Sequence, residues 1–170
     1  FSILVEKDRS SSNMAHIIKP AVAYVKDIKS QNTGGGTFTS GDWRDRDLNT
    51  ITGESWFINS LSSNIVTVQA GTYKFYAVAP CFVVDVNQLR LYDNTNSAVL
   101  AVGVSGRVGT SSSDNNSSFS SEVECVATFT SATAIKLQHR STGTRSSDGF
   151  GASCNFTNEL YASMKIEKLK

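Results

Sequence analysis

Residues 69–85, QAGTYKFYAVAPCFVVD, constrain the fold more than any other stretch of the chain. Gly71 offers an easy turn, and from Tyr73 the residues alternate across a pleated ribbon. Tyr73, Phe75, Ala77 and Ala79 fall on one face, while Lys74, Tyr76 and Val78 fall on the other. Both faces are largely apolar, so this strand requires a cover on each side. Another sheet, a returning loop or another copy of the chain would each supply the second cover.

The remaining segments read as further strands. Residues 21–28, 54–61, 65–68, 86–92, 98–104, 119–129, 134–140 and 160–169 are rich in β-branched and aromatic residues, mostly with period-two alternation. In residues 160–169 the pattern puts Ala162, Met164 and Ile166 inward and Tyr161, Lys165 and Glu167 outward. Polar turns separate these segments, and two stretches read as long exposed loops, residues 105–118 and 141–148. No helical period or internal repeat interrupts the pattern. Roughly eight to ten short strands with polar turns predict an all-β antiparallel sandwich or barrel, with a jelly roll as the leading architecture. At 170 residues and 39% hydrophobic, the chain suits one domain, residues 21–170. Residues 1–20 read as an arm, with an apolar patch at 1–5 and a charged, Ser-rich spacer. Such an arm orders by docking elsewhere, or frays.

Composition excludes several functions. A net charge of +1 provides no strong pull toward nucleic acid or anionic lipid. No run of about 18 apolar residues is present, so no membrane insertion is expected. The opening FSILVEKDRS becomes charged too soon to read as a secretory signal. Cys81, Cys125 and Cys154 cannot all pair internally and read as small buried hydrophobes, which suits a reducing compartment. Gly34-Gly35-Gly36 lacks the Lys-Ser/Thr pair and following helix of a phosphate cradle.

The block at residues 42–49, DWRDRDLN, puts Arg44 and Arg46 on one strand face and Trp43, Asp45 and Asp47 on the other. It reads as a charge ladder facing solvent or a subunit, or as a ligand site with Trp43 as a stacking platform. Arg forms planar bidentate bonds to carboxylates, so Arg44, Arg46, Arg90, Arg140 and Arg145 either bridge across a subunit boundary, with Arg44, Arg46 and Arg140 placed at that interface, or are exposed and contribute little. Their expected acceptors across that boundary are Asp45, Asp47, Asp85 or Glu124. His139 has Asp148 as a candidate acid partner, yet neither a nucleophile elbow nor a metal-ligand spacing accompanies it. It reads as a structural histidine; no catalytic residue, metal site or cofactor is expected.

Together with Ala70-Gly-Thr-Tyr-x-Phe75 and the apolar final strand, the jelly-roll pattern resembles the trimeric C1q/TNF-like domain. Trp43-Arg-Asp-Arg-Asp-Leu-Asn49, Ala70-Gly-Thr-Tyr73, Leu137-Gln-His-Arg140 and Asp148-Gly-Phe-Gly151 are, as a set, similar to a domain of tailed-bacteriophage virion proteins, often at fibre ends. That resemblance covers about residues 21–169. It implies a non-enzymatic virion protein, a homotrimer in which neighbouring subunits cover Tyr76 and Val78. Ser112, Asp114, Asn115, Asn116, Thr144, Arg145 and Asp148 would then sit on receptor-binding loops that meet a host surface glycan or protein. Other virion proteins would hold residues 1–20, and assembly would take place in the host cytoplasm. The alternative is a head decoration or connector protein that stabilises the virion through the arm.

Overall fold

A computed structural model describes residues 20–109 and 117–170. The arm up to residue 19 and the loop positions Ser112, Asp114, Asn115 and Asn116 lie outside the described residues. Eleven strands follow in chain order: β1 (Ala21–Lys29), β2 (Arg44–Asp45), β3 (Thr50–Gly53), β4 (Ile58–Ser62), β5 (Ile65–Val68), β6 (Gly71–Phe82), β7 (Asp85–Asp93), β8 (Ala98–Val108), β9 (Ser118–Phe129), β10 (Thr133–Ser141) and β11 (Glu159–Lys168). They form two antiparallel sheets, a first in the order β3-β1-β11-β6-β9 and a second in the order β4-β5-β10-β7-β8. The short β2 takes over the pairing of β10 where β5 ends. The architecture is an all-β jelly-roll sandwich with no helix among the described residues.

The alternation along β6 decides where the core lies. Tyr73, Phe75, Ala77 and Ala79 are each 0% exposed and meet Leu89, Leu91, Ile135 and Leu137 of the second sheet. Full burial of a side chain the size of Phe75, Leu89 or Ile135 contributes about 1.5–3 kcal/mol, which favours the face-to-face packing of the sheets. Pro80 is tolerated in this long strand because the pairing of β6 with β11 stops at Val78 and Ser163, leaving no ladder bond for its missing N–H to break.

Several boundaries differ from the sequence pattern. β8 runs on to Val108 and β9 begins at Ser118, so both ends of the expected loop at 105–118 are strand. Within this extension Gly106 passes under the Phe119 ring, which occupies the place a Cβ would take. The strand expected from residue 54 starts only at Ile58, after a turn closed by Ile58 N–H to the Ser55 carbonyl. Tyr161, expected to face outward, is buried: the β1–β11 register slips between Asp27 and Ile28, and the bulged Tyr161 turns inward to donate to the Thr33 carbonyl at 2.7 Å. Of the three cysteines Cys81 is buried and Cys125 half-buried, but Cys154 is exposed.

A second, smaller core of Phe38, Cys81, Val84, Val108 and Phe150 fills one end of the sandwich. Loops close this end, and the triple glycine lets two of them touch backbone to backbone. A Cβ on Gly35 would lie 2.7 Å from the Phe150 carbonyl carbon, and one on Gly34 would lie 2.5 Å from the Ser147 oxygen. The glycines therefore serve close packing of residues 34–36 against 147–151, where Gly35 N–H donates to the Gly151 carbonyl at 2.9 Å.

Candidate functional site

Three surfaces and one buried cluster account for every singled-out side chain within the described residues. The buried cluster corrects one assignment. Arg46 shares its strand side with Arg44 as the alternation implies, but it is 0% exposed and enclosed within the subunit. Its guanidinium donates to the carbonyls of Pro80 (3.0 Å), Phe150 (2.9 Å) and Tyr161 (2.8 Å) and stacks 4.1 Å over the Phe150 ring. A second subunit cannot reach it, so Arg46 is a core residue and not an interface residue. Burial pulls its pKa down to about 10, which leaves it charged at neutral pH. Beside it, His139 is enclosed against Phe38 with Nε2 3.2 Å from Asn87 Oδ1. Burial, then the Arg46 charge, holds His139 well below the usual histidine range, so the ring is neutral. Asp148 pairs elsewhere, and no His139–Asp148 couple forms.

The first surface is the outer face of the five-stranded sheet. Cross-strand register places Tyr24, Lys165, Tyr76 and Glu124 in one row, with Lys26, Ser163, Val78 and Glu122 in the next. Tyr76 and Val78 are half-buried, whereas Val126 is 61% and Leu160 53% exposed. The charges here largely satisfy one another: Lys74 meets Glu124 at 2.6 Å and Lys165 meets Glu167 at 3.1 Å. Burial, followed by a bond to Glu122, raises the Tyr76 phenol above its ordinary value. At the loop end this face deepens into a groove of about 630 Å³ lined by Val78, Pro80, Phe82, Leu160 and Phe156.

The second surface is the loop end. Thr144 Oγ1 donates to Ser40 Oγ at 2.9 Å and accepts from Ser40 N–H at 3.0 Å. Arg145 grips Asp148 with two bonds of 2.7 and 3.1 Å and forms a strand bridge with Phe38. Thr144, Arg145 and Asp148 are thus brought together, in a segment stapled to residues 37–40.

The third surface is the outer face of the second sheet, on the far side of the sandwich from Tyr76. Asp45 here bonds Lys136 (2.9 Å) and Gln138 (2.7 Å), and Gln138 accepts from Arg90 Nε at 2.8 Å. Arg90 stacks 4.2 Å over Trp43 and 4.8 Å over Tyr92, so one face of the Trp43 platform is taken by this chain's own cation. Arg140 is exposed on the same face, across the sandwich from Tyr76 and Val78, so the expected grouping of these residues on one interface is not formed. Arg44 instead turns to the loop end, donating to the Thr39 and Ser40 carbonyls. The carboxylates expected to bridge subunits have partners inside this one: Lys136 for Asp45, Lys29 for Asp47, Arg107 for Asp85 and Lys74 for Glu124.

Two features escape sequence reading. Glu159 is buried and accepts from the N–H groups of Cys154, Asn155 and Asn32, bonds that hold its carboxyl below the usual range. It fixes the loop carrying Phe156, which is 86% exposed. The Arg90 network was also hidden, because only the register that sets Arg90 opposite Gln138 brings its members together. Among the described residues no group of three His, Cys, Asp or Glu stands close enough to hold a metal ion.

No protein-family model matches the chain, and none of the curated proteins matches it in sequence. Solved structures do. The globular domain of a zebrafish complement 1qA protein superposes with a TM-score of 0.56 at 12% identity, over 89% of this chain and 98% of that one. Eiger TNF from S. frugiperda gives 0.57 at 12% identity, over 89% and 93%. Murine APRIL gives 0.52 at 14% identity, over 89% and 100%. The chain therefore has a C1q/TNF-like jelly-roll fold, and at these identities the likeness is one of fold.

Proposed function

We propose that this chain is a non-enzymatic structural protein of a tailed-bacteriophage virion, a trimer of jelly rolls that presents its loops for host attachment. The observation that carries the reading is the outer face of the first sheet. Tyr24, Tyr76, Val78, Val126 and Leu160 share a face whose charges already pair with one another, which suits burial against another copy of the chain. The C1q/TNF-like fold supports the trimer, and the resemblance of residues 43–49, 70–73, 137–140 and 148–151 to motifs of phage virion proteins supports the virion role. Thr144, Arg145 and Asp148 remain the described part of the attachment loops. The Thr144–Ser40 and Arg145–Asp148 bonds give a preorganised surface for a host glycan or protein. The decoration or connector alternative acts through the arm, which lies outside the described residues.

The test is the solution mass of the protein. A particle of three times 18.3 kDa is expected at micromolar concentration, and Tyr76→Glu should give a folded monomer with an unchanged circular dichroism spectrum. A wild-type monomer at that concentration would overturn the trimer. Immunogold labelling then tests the location: label confined to the interior of the capsid shell would overturn attachment.

A further inference from the structure

We infer that Arg90 and Arg140 on the outer face of the second sheet form a binding site for the carboxylate of an acidic saccharide. The inference builds on the attachment reading, in which this sheet faces away from the subunit contact.

Carboxylate recognition by arginine needs a guanidinium held in one plane with its terminal nitrogens free. Arg90 meets both conditions. Trp43 and Tyr92 flank it at 4.2 and 4.8 Å, and its Nε is tied to Gln138 Oε1 at 2.8 Å. Gln138 is in turn held by Asp45, and Asp45 by Lys136, so a chain of three polar contacts sets the guanidinium's orientation. Neither terminal nitrogen of Arg90 has a bonded partner among the described residues. Little rotational freedom would be lost on binding, because the side chain is already ordered.

The charge balance points the same way. Arg90 pairs with Gln138 and Arg140 with Gln88 in the register of β7 and β10, so the two arginines are diagonal neighbours on one face. Among the described residues the only acceptor bonded to Arg90 is a neutral amide, and Arg140 has no carboxylate partner. Asp45, the nearby acid, is already neutralised by Lys136. Burial lowers the Arg90 pKa; Tyr92 and Asp45 pull it back up, and the Arg140 charge pushes it down, a repulsion that a bound anion would relieve. Trp43 and Tyr92 add half-buried aromatic edges beside the guanidinium, against which the C–H face of a sugar ring can rest.

Titration calorimetry of the full chain with a hexagalacturonate at low ionic strength tests the site. Binding is expected, weakened by added salt, and weakened at least about tenfold by Arg90→Lys, which keeps the charge but removes the planar fork, and by Arg140→Gln. The methyl ester of the same oligomer should not bind. Absence of binding, equal binding of the ester, or affinity unchanged in both variants would overturn the site; a hexa-aspartate bound as tightly would overturn the saccharide assignment. Arg140 is exposed, so its substitution leaves the fold intact even if Arg90→Lys does not. Solution mass measured on the same samples separates this inference from the trimer: a monomer that binds hexagalacturonate refutes only the assembly, and a trimer that does not bind refutes only the site.

Discussion

Between the sheets, Phe75, Leu89, Leu91 and Ile135 pack as an apolar layer, whereas at the loop end a fully enclosed Arg46 and His139 share space with Phe38, Cys81 and Phe150. The two interiors solve different problems. Paired strands satisfy their own backbone groups, so the space between them needs only volume and apolar surface. Where β6 and β11 part beyond Val78 and Ser163 and a loop arrives beside them, carbonyls are left without donors, and a guanidinium with five N–H groups supplies three of them at once. The apolar layer should therefore tolerate isosteric swaps, and the loop end should tolerate none at Arg46.

The comparison can be broken most severely at Phe75. Phe75→Ala should cost about 3–5 kcal/mol and lower the urea midpoint of the whole domain in one cooperative transition. Arg46→Met should cost about 2–4 kcal/mol by stranding buried carbonyls, with a different spatial signature. Amide exchange should accelerate first in residues 34–38 and 147–151 and leave β6 protected; uniform acceleration would mean that the loop end is no separate unit. The smallest effect is set by pH. His139 is held neutral, with its folded pKa below the unfolded value near 6.5, so its contribution is complete above that pH and is lost as pH falls. Stability should decline below about pH 6.5 by up to about 1.4 kcal/mol per unit, and His139→Gln should flatten that decline. Parallel urea midpoints for wild type and variant at pH 7 and 5.5 would show that the ring is not held neutral.

Much of the first interior is readable in the sequence. The alternation of Tyr73, Phe75, Ala77 and Ala79 against Lys74, Tyr76 and Val78 is a property of residue order, and the sheet preserves it. The loop end is not readable in the same way. The alternation in residues 42–49 puts Arg44 and Arg46 on one side, but whether that side meets solvent or carbonyls depends on Pro80, Phe150 and Tyr161, which are distant in the chain. Tyr161 itself was misplaced because a one-residue bulge reverses the facing of whatever it displaces, and no residue type announces it. The Arg90 cluster failed for a related reason, since cross-strand neighbours are fixed by register, which local periodicity does not encode.

The first sheet joins the beginning of the domain to its end. In its order β3-β1-β11-β6-β9, the first long strand and the sixth share a single neighbour, β11, drawn from residues 159–168. During synthesis β1 and β6 therefore have nothing between them until almost the whole domain has left the ribosome. Through that interval the sheet exists as two separate edges, each with a row of unpaired N–H and C=O groups. Losing the last strand would leave an opened template for pairing with other nascent copies, so truncation near the end should produce aggregates in place of a shorter folded protein.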